Sequence, residues 1–304
     1  MIIRDIYYKD VPALELSTKA LCAIVVPKQG GKMVSFKKTG CNKEYLLQNP
    51  SEKFLPMGAK DNFECCECAG FDDMFPTIDP LEIDCPDGTV LYYPDHGEVC
   101  RVEFAAEIEE SSLTMRFHSE ALGYTYEKTF TEDSDGALRI VYRIKNLSSR
   151  DLDVLWAGHF LVNVEKGGQL LTPFLCGEPT DVVSDLNGTY KIGARIPLSE
   201  KMLLAGWPEN TTACRKLYFS RKAPEGFVGY QDPDGDIVMM EFDKEQLPYI
   251  GLWINLGYLN KAYCVGLEPA SVGYDTVKNA EAYGQKDILK KNAVKEFFLR
   301  LSIK

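Results

Sequence analysis

Histidine is scarce in this chain: His96, His118 and His159 are the only three. A metal site built from several imidazoles is therefore not expected, since catalytic zinc commonly draws on two or three of them. Long apolar runs are also missing. No stretch approaches the roughly 18 residues a membrane helix needs, so no span is expected. The opening MIIRDIYYKD has no basic segment followed by an apolar core, so no secretory signal is expected and the cytoplasm is the expected location. Positive charge is outnumbered, with 34 Lys and Arg against 45 Asp and Glu and a formal net charge of -11. That average field repels a phosphate backbone and argues against nucleic acid and anionic membranes as partners. No glycine-rich phosphate loop, internal repeat, low-complexity tract or Pro/Ser/Gly-rich linker interrupts the chain, so one domain over residues 1–304 is expected.

Cysteine, by contrast, is plentiful at ten. In a long chain without a secretory signal, free thiols are expected rather than disulfides. The tight cluster is ECCECAG (64–70), with Cys65, Cys66 and Cys68. Tetrahedral zinc needs a second pair at suitable spacing, and the nearest cysteines, Cys85 and Cys100, stand alone. Small thiols in or near the core are the better expectation, with no metal and no organic cofactor.

The dominant hydrophobic period is two. In ALRIVYRIKN (137–146), Leu138, Ile140, Tyr142 and Ile144 share one face, and in EFFLRLSIK (296–304) Phe297, Leu299, Leu301 and Ile303 do the same. Strand-like stretches follow one another over 101–133. Asp87-Gly88, Asp135-Gly136, Asn187-Gly188 and Asp234-Gly235 supply the positive φ of tight turns. Helical periods are confined to short stretches at 199–206 and 277–284. The expected fold is all-β, a large antiparallel β-sandwich with a few short helices.

Four stretches place polar groups in surroundings that suggest chemistry. In GFDDMFPTID (70–79), Asp72 and Asp73 are flanked by Phe71 and Phe75; carboxylates accept sugar hydroxyls and rings cover the C–H face, or the stretch is an acidic turn. In YYPDHGEVCR (92–101), His96 precedes Gly97, which permits close backbone approach; the alternative is a surface-loop histidine. In DVLWAGHFLV (153–162), His159 lies in an apolar run beside Trp156 and is either a hydrogen-bonded structural histidine or an acid–base group. In YCVGLEPASVGYD (263–275), Glu268 ends an apolar run. Burial there raises a carboxyl's pKa, which suits a general base near neutrality; the alternative is a rim residue paired with a lysine or arginine. Pro269 is expected to turn the chain away and leave Glu268 at the rim.

In their order and flanks these segments resemble the aldose 1-epimerases, or galactose mutarotases, and their wider superfamily, over nearly the whole chain. GGKMVSFKKTGCNKEYLL (30–47) is similar to the family's opening hairpin, DHGE (95–98) to its His-Gly motif, and WAGHFLV to the segment with its second histidine. GLWINLG (251–257) is similar to a Trp-containing strand, and GLEP (266–269) to the segment of its glutamate. Three family patterns differ. The arginine four residues after the first histidine is Cys100 here, with Arg101 one further on; the late Asp-His loop and the Asn-x-x-x-Arg clamp have no counterpart, although Asp232, Asp234 and Asp236 lie near in order.

The resemblance implies an isomerase that interconverts the α and β anomers of an aldose, acting as a monomer or homodimer. It implies Glu268 as base, His159 as acid and His96 assisting at the ring oxygen. Asp72, Asp73, Phe71, Trp156, Trp253 and Arg101 are the implied sugar contacts. Three rivals remain open: a non-catalytic sugar-binding or sensing protein on the same fold, a hexose-6-phosphate epimerase, which needs a basic pocket, and a carbohydrate lyase or hydrolase, which needs a longer cleft.

Overall fold

The structure, a computed structural model, describes residues 1–85, 87–199 and 212–304. Two large sheets dominate, one of eleven strands and one of eight, and every ladder between neighbouring strands among the described residues is antiparallel. In the larger sheet, four sequential strands from Ile2–Tyr8 to Lys32–Lys38 lead into Phe71–Met74. Then come Ala157–Asn163, Tyr263–Ala270, Tyr249–Leu256 and Ala213–Phe219. The smaller sheet has Val294–Ile303 between Ile237–Phe242 and Leu138–Asn146, followed by Tyr124–Glu132 and Ser112–Ser119.

Period two explains the layering. Leu138, Ile140, Tyr142 and Ile144 are all buried, as are Phe297, Leu299, Leu301 and Ile303. These faces meet the larger sheet in one apolar cluster that draws on residues from Leu14 to Ile303. The expected turn glycines Gly88, Gly136, Gly188 and Gly235 all have positive φ. A helix forms over Val277–Ala282, where Thr276 caps the start by accepting from the Asn279 N–H. The other expected helical stretch, 199–206, lies outside the described residues apart from Ser199. No helix among the described residues is long and apolar enough to cross a membrane.

Several implied sugar contacts point into the space between the sheets instead of toward a cleft. Trp156 is fully buried; its indole N–H donates to the Tyr126 hydroxyl at 2.7 Å and its ring packs on Phe297. Phe71 packs edge-on against Phe160. Asp73 accepts from Lys128 at 2.7 Å and from Tyr142 at 2.9 Å, both on the opposite sheet. The cause is the pleat, which turns alternate side chains of a strand to opposite faces. Pro269 also departs from expectation. The strand continues through Ala270, with Pro269 opposite Ile250, so Glu268 lies in mid-sheet rather than at a rim.

Candidate active site

The outer face of the larger sheet gathers what the inner face leaves out. Asp72 stands opposite His159 across the Phe71–Met74 and Ala157–Asn163 pair. Phe160 pairs with Leu267, and Gly251 pairs with Glu268 on the next ladder. Lys32, Asp72, His159, Glu268, Trp253 and Lys216 thus form a polar stripe running across six strands. Burying such groups costs several kcal/mol unless they are paired. Most are: Lys32 holds Asp72, and Lys216 lies 2.7 Å from Glu268 Oε2 and 2.9 Å from Asp275 Oδ1. The Lys216–Glu268 pair is the salt bridge left open as the alternative for Glu268, now found in the sheet interior.

His96 arrives from a loop. It has φ 57° and is followed by Gly97 at φ 75°; a Cβ on Gly97 would lie 2.1 Å from the Phe75 carbonyl oxygen, so only glycine fits there. The tight turn lays the imidazole flat on Phe63, with ring centroids 4.3 Å apart and planes 8° apart. Its Nδ1 is 3.0 Å from Asp95 Oδ1, which occupies one of the two ring nitrogens. His159 lies 5.3 Å from His96, ring centre to ring centre, and 5.8 Å from Trp253. His159 Nε2 is 3.8 Å from Glu268 Oε1.

These groups line one cleft of about 160 Å³, whose wall includes Phe63, Asp79, His96, His159, Lys216, Trp253, Glu268 and Asp275. It is smaller than the roughly 300–1,000 Å³ pockets of drug-sized ligands and suits a compact polar molecule. Among the described residues His159 Nδ1 and both Glu268 oxygens lack a well-aligned hydrogen-bond partner, although both side chains are at least nine-tenths buried; Oε2 has the Lys216 ion pair at 2.7 Å, while Oε1 faces His159. Each such orphan costs about 1–3 kcal/mol unless something in the cleft bonds to it.

Electrostatics separate the groups. Burial raises the Glu268 pKa against the pull of Lys216, with Asp275 adding to the rise. Burial drives the His159 pKa well below its usual value, and the positive charges of His96, Lys216 and Lys32 add to that. His159 is therefore an uncharged imidazole in the free protein. Asp95 is held below the usual carboxylate range: its burial is outweighed by its hydrogen bonds and by the charge of His96.

The expected residues therefore divide. Glu268, His159, His96 and Trp253 converge on the cleft; Asp72 lies beside it on the same face, tied to Lys32 in a small adjoining hollow. Asp73, Phe71 and Trp156 do not reach it. Arg101 braces the loop instead, with Nε donating to the Gly97 carbonyl at 2.9 Å and the guanidinium also bonding the carbonyls of Gly58 and Asp95. Asp232, Asp234 and Asp236 pair with Lys43 and Lys38 away from the cleft. All ten cysteines are free, and no group of three or more His, Cys, Asp or Glu among the described residues is placed to hold a metal ion. Lys216 and Asp275 were missed. Their signal was there: ACRKLYF alternates Cys214, Lys216 and Tyr218 on one face, a lone lysine among residues that bury, and Asp275 closes YCVGLEPASVGYD.

No family model and no curated protein matches the chain by sequence. Solved structures do match. A galactose mutarotase-like protein from Lactobacillus casei superposes with TM-score 0.68 at 16% identity, covering 96% of this chain and 100% of the other. A galactose mutarotase-like protein from Clostridium acetobutylicum gives TM-score 0.70 at 14% identity, over 100% and 98% of the two chains. The fold is that of the galactose mutarotase-like proteins. A galactose mutarotase related enzyme from Lactobacillus acidophilus shares it at 12% identity and TM-score 0.70, over 96% of this chain and 97% of the other. At such identities the likeness carries the architecture, and the mutarotase-like scaffold explains how strands far apart in sequence reach one cleft.

Proposed function

We propose that the protein is a mutarotase that interconverts the α and β anomers of an aldose by opening and reclosing the sugar ring. The observation that carries this reading is the meeting of Glu268 with two histidines in one monosaccharide-sized cleft, His159 Nε2 being 3.8 Å from Glu268 Oε1. Ring opening needs a base for the anomeric hydroxyl proton and an acid for the ring oxygen, and each positioned group contributes a factor of about 10²–10⁴. Glu268 takes the hydroxyl proton and becomes a neutral acid. The C1–O bond to the ring oxygen breaks, and that oxygen receives a proton from His96, whose other ring nitrogen faces Asp95. Rotation about C1–C2 presents the other face of the aldehyde. Closure returns the first proton from Glu268 to the carbonyl oxygen and the second from the new hydroxyl to His96.

The resemblance gave His159 the acid role. Burial and neighbouring cations leave that imidazole uncharged, which suits a hydrogen-bond donor to the ring oxygen better than a proton source. Trp253 supplies an apolar face for the C–H side of the sugar. The sugar-phosphate reading is not favoured: Lys216 is the one Lys or Arg among the described lining residues, and it already faces two carboxylates.

Glu268→Gln keeps the shape and removes the base. Anomer exchange of fresh α-glucose and α-galactose, followed by polarimetry, is expected to fall at least about 100-fold toward the spontaneous rate. A folded variant that exchanges anomers at the native rate overturns the assignment. A native protein that binds these sugars and leaves exchange at the spontaneous rate favours the sugar-binding alternative.

A further inference from the structure

Lys216 does not stand on a strand adjoining that of Glu268. It projects from Ala213–Phe219, and Tyr249–Leu256 runs between them. The intervening strand presents Gly251 at the crossing, opposite both Tyr218 and Glu268. A Cβ there would meet the Tyr218 ring at 2.9 Å and the Glu268 Cβ at 3.4 Å. Gly266, on the Glu268 strand, performs the same clearing: a Cβ would lie 3.0 Å from Glu268 Oε1 and 3.1 Å from the Trp253 Cβ. Two glycines thus leave room around the Glu268 side chain, and Lys216 reaches its carboxylate from the far side of the intervening strand.

At the far end Asp275 meets Lys216 at 2.9 Å and accepts from the Tyr218 hydroxyl at 3.1 Å. Lys216 is only 7% exposed at the side chain, and Glu268 is fully buried. Burial works against the ammonium, but Asp275 and Glu268 outweigh it, so Lys216 stays charged.

We propose that Lys216 is the positioning residue of Glu268: anchored by Asp275, it grips Oε2 and leaves Oε1 facing His159 and the cleft. This rests on reading Glu268 as the base. The chemistry is one of balance. A lone lysine at 2.7 Å would make Glu268 a weak base, and a buried carboxyl without one would stay protonated. Asp275 divides the lysine's charge between two carboxylates, so Glu268 is ionised and still basic. The groups facing Glu268 are Lys216 and Tyr218 across Gly251, Asp275 beyond its own strand, His159 on the adjoining strand and His96 from its loop, with Asp79 behind Asp275.

The arrangement predicts shifts of opposite sign. In Lys216→Met the acid limb of the pH–rate profile for anomer exchange moves to higher pH. In Asp275→Asn it moves to lower pH, with a slower plateau. Each shift is expected at about 1–3 pH units, the range for a carboxylate beside a single charge. Unshifted limbs, or limbs moved in the same direction, overturn the proposal, because a merely structural role lowers rate without separating the signs. If Lys216→Met does not fold, Asp275→Asn decides alone: a downward shift supports the proposal and an unchanged limb overturns it. Carbon-13 NMR titration of the Glu268 carboxyl in the same proteins reads the same signs without turnover. The triad can therefore be judged even where the native protein exchanges no aldose, an outcome that counts against the mutarotase reading alone.

Discussion

Asp79 shows how strongly this cleft concentrates negative charge. It sits exposed at the mouth, yet partial burial of its carboxyl and the facing Asp275 push its pKa up to about 6. In an unfolded chain an aspartate titrates near about 3.9. Between those values the folded protein keeps a proton that the unfolded chain releases, so stability falls as pH rises through the window. The cost is absent below about pH 4 and fully present above about pH 6. Asp79→Asn removes it. The variant is expected to melt about 1–2 °C above the native protein at pH 7, a small rise because solvent screens an exposed carboxylate. At pH 4 the two are expected to melt together. An equal difference at both pH values, measured by differential scanning calorimetry, contradicts this account.

A strand turns that residue-level chemistry into two separate sites. Phe71–Met74 sends Asp73 inward to Lys128 and Tyr142 and Asp72 outward to Lys32. The same alternation separates Trp156 from His159 one strand over. This is why the candidate site was only partly legible. A carboxylate or imidazole inside an apolar run announces itself, and Glu268 and His159 were found that way, whereas His96 was marked by the glycine that follows it. Adjacent candidates such as Asp72 and Asp73 look alike until a pleat assigns their faces, and the pleat is set by pairings outside the segment. Lys216 left a local mark as a lone lysine among residues that bury, but its role depends on Glu268 and Asp275, which the sheet brings to it from far along the chain. The inner triad carries its own prediction. Side chains of Asp73 and Lys128 are 1% and 4% exposed, so removing the carboxylate strands a buried ammonium. Asp73→Ala is expected to cost about 3–5 kcal/mol in urea unfolding. Anomer exchange by the folded fraction should stay near native, since Asp73 faces away from the cleft. A stable variant, or a folded one with lost activity, shows that the triad is misassigned.

At the scale of the whole molecule, the two sheets are joined by chain order as much as by packing. The strands and turns were legible because period two and Asp-Gly or Asn-Gly pairs are local signals. Their order in the sheets was not, because pairings such as Tyr142 with Phe297 span much of the chain and leave no local mark. Val294–Ile303 ends up in mid-sheet, pairing with Leu138–Asn146 on one side and Ile237–Phe242 on the other. It brings Phe297, Leu299, Leu301 and Ile303 into the shared core. Burying four such side chains is worth roughly 6–12 kcal/mol, which is comparable with the whole stability of an ordinary domain, about 5–15 kcal/mol. Deleting residues 294–304 also opens two ladders to solvent in the middle of a sheet, an invitation to association. The intact chain is therefore expected to unfold in one transition, with near- and far-ultraviolet circular dichroism coinciding. The truncated chain is expected to lose amide dispersion in its NMR spectrum across both sheets. Retention of a dispersed half would mean that the sheets fold independently and that residues 1–304 are not a single cooperative unit.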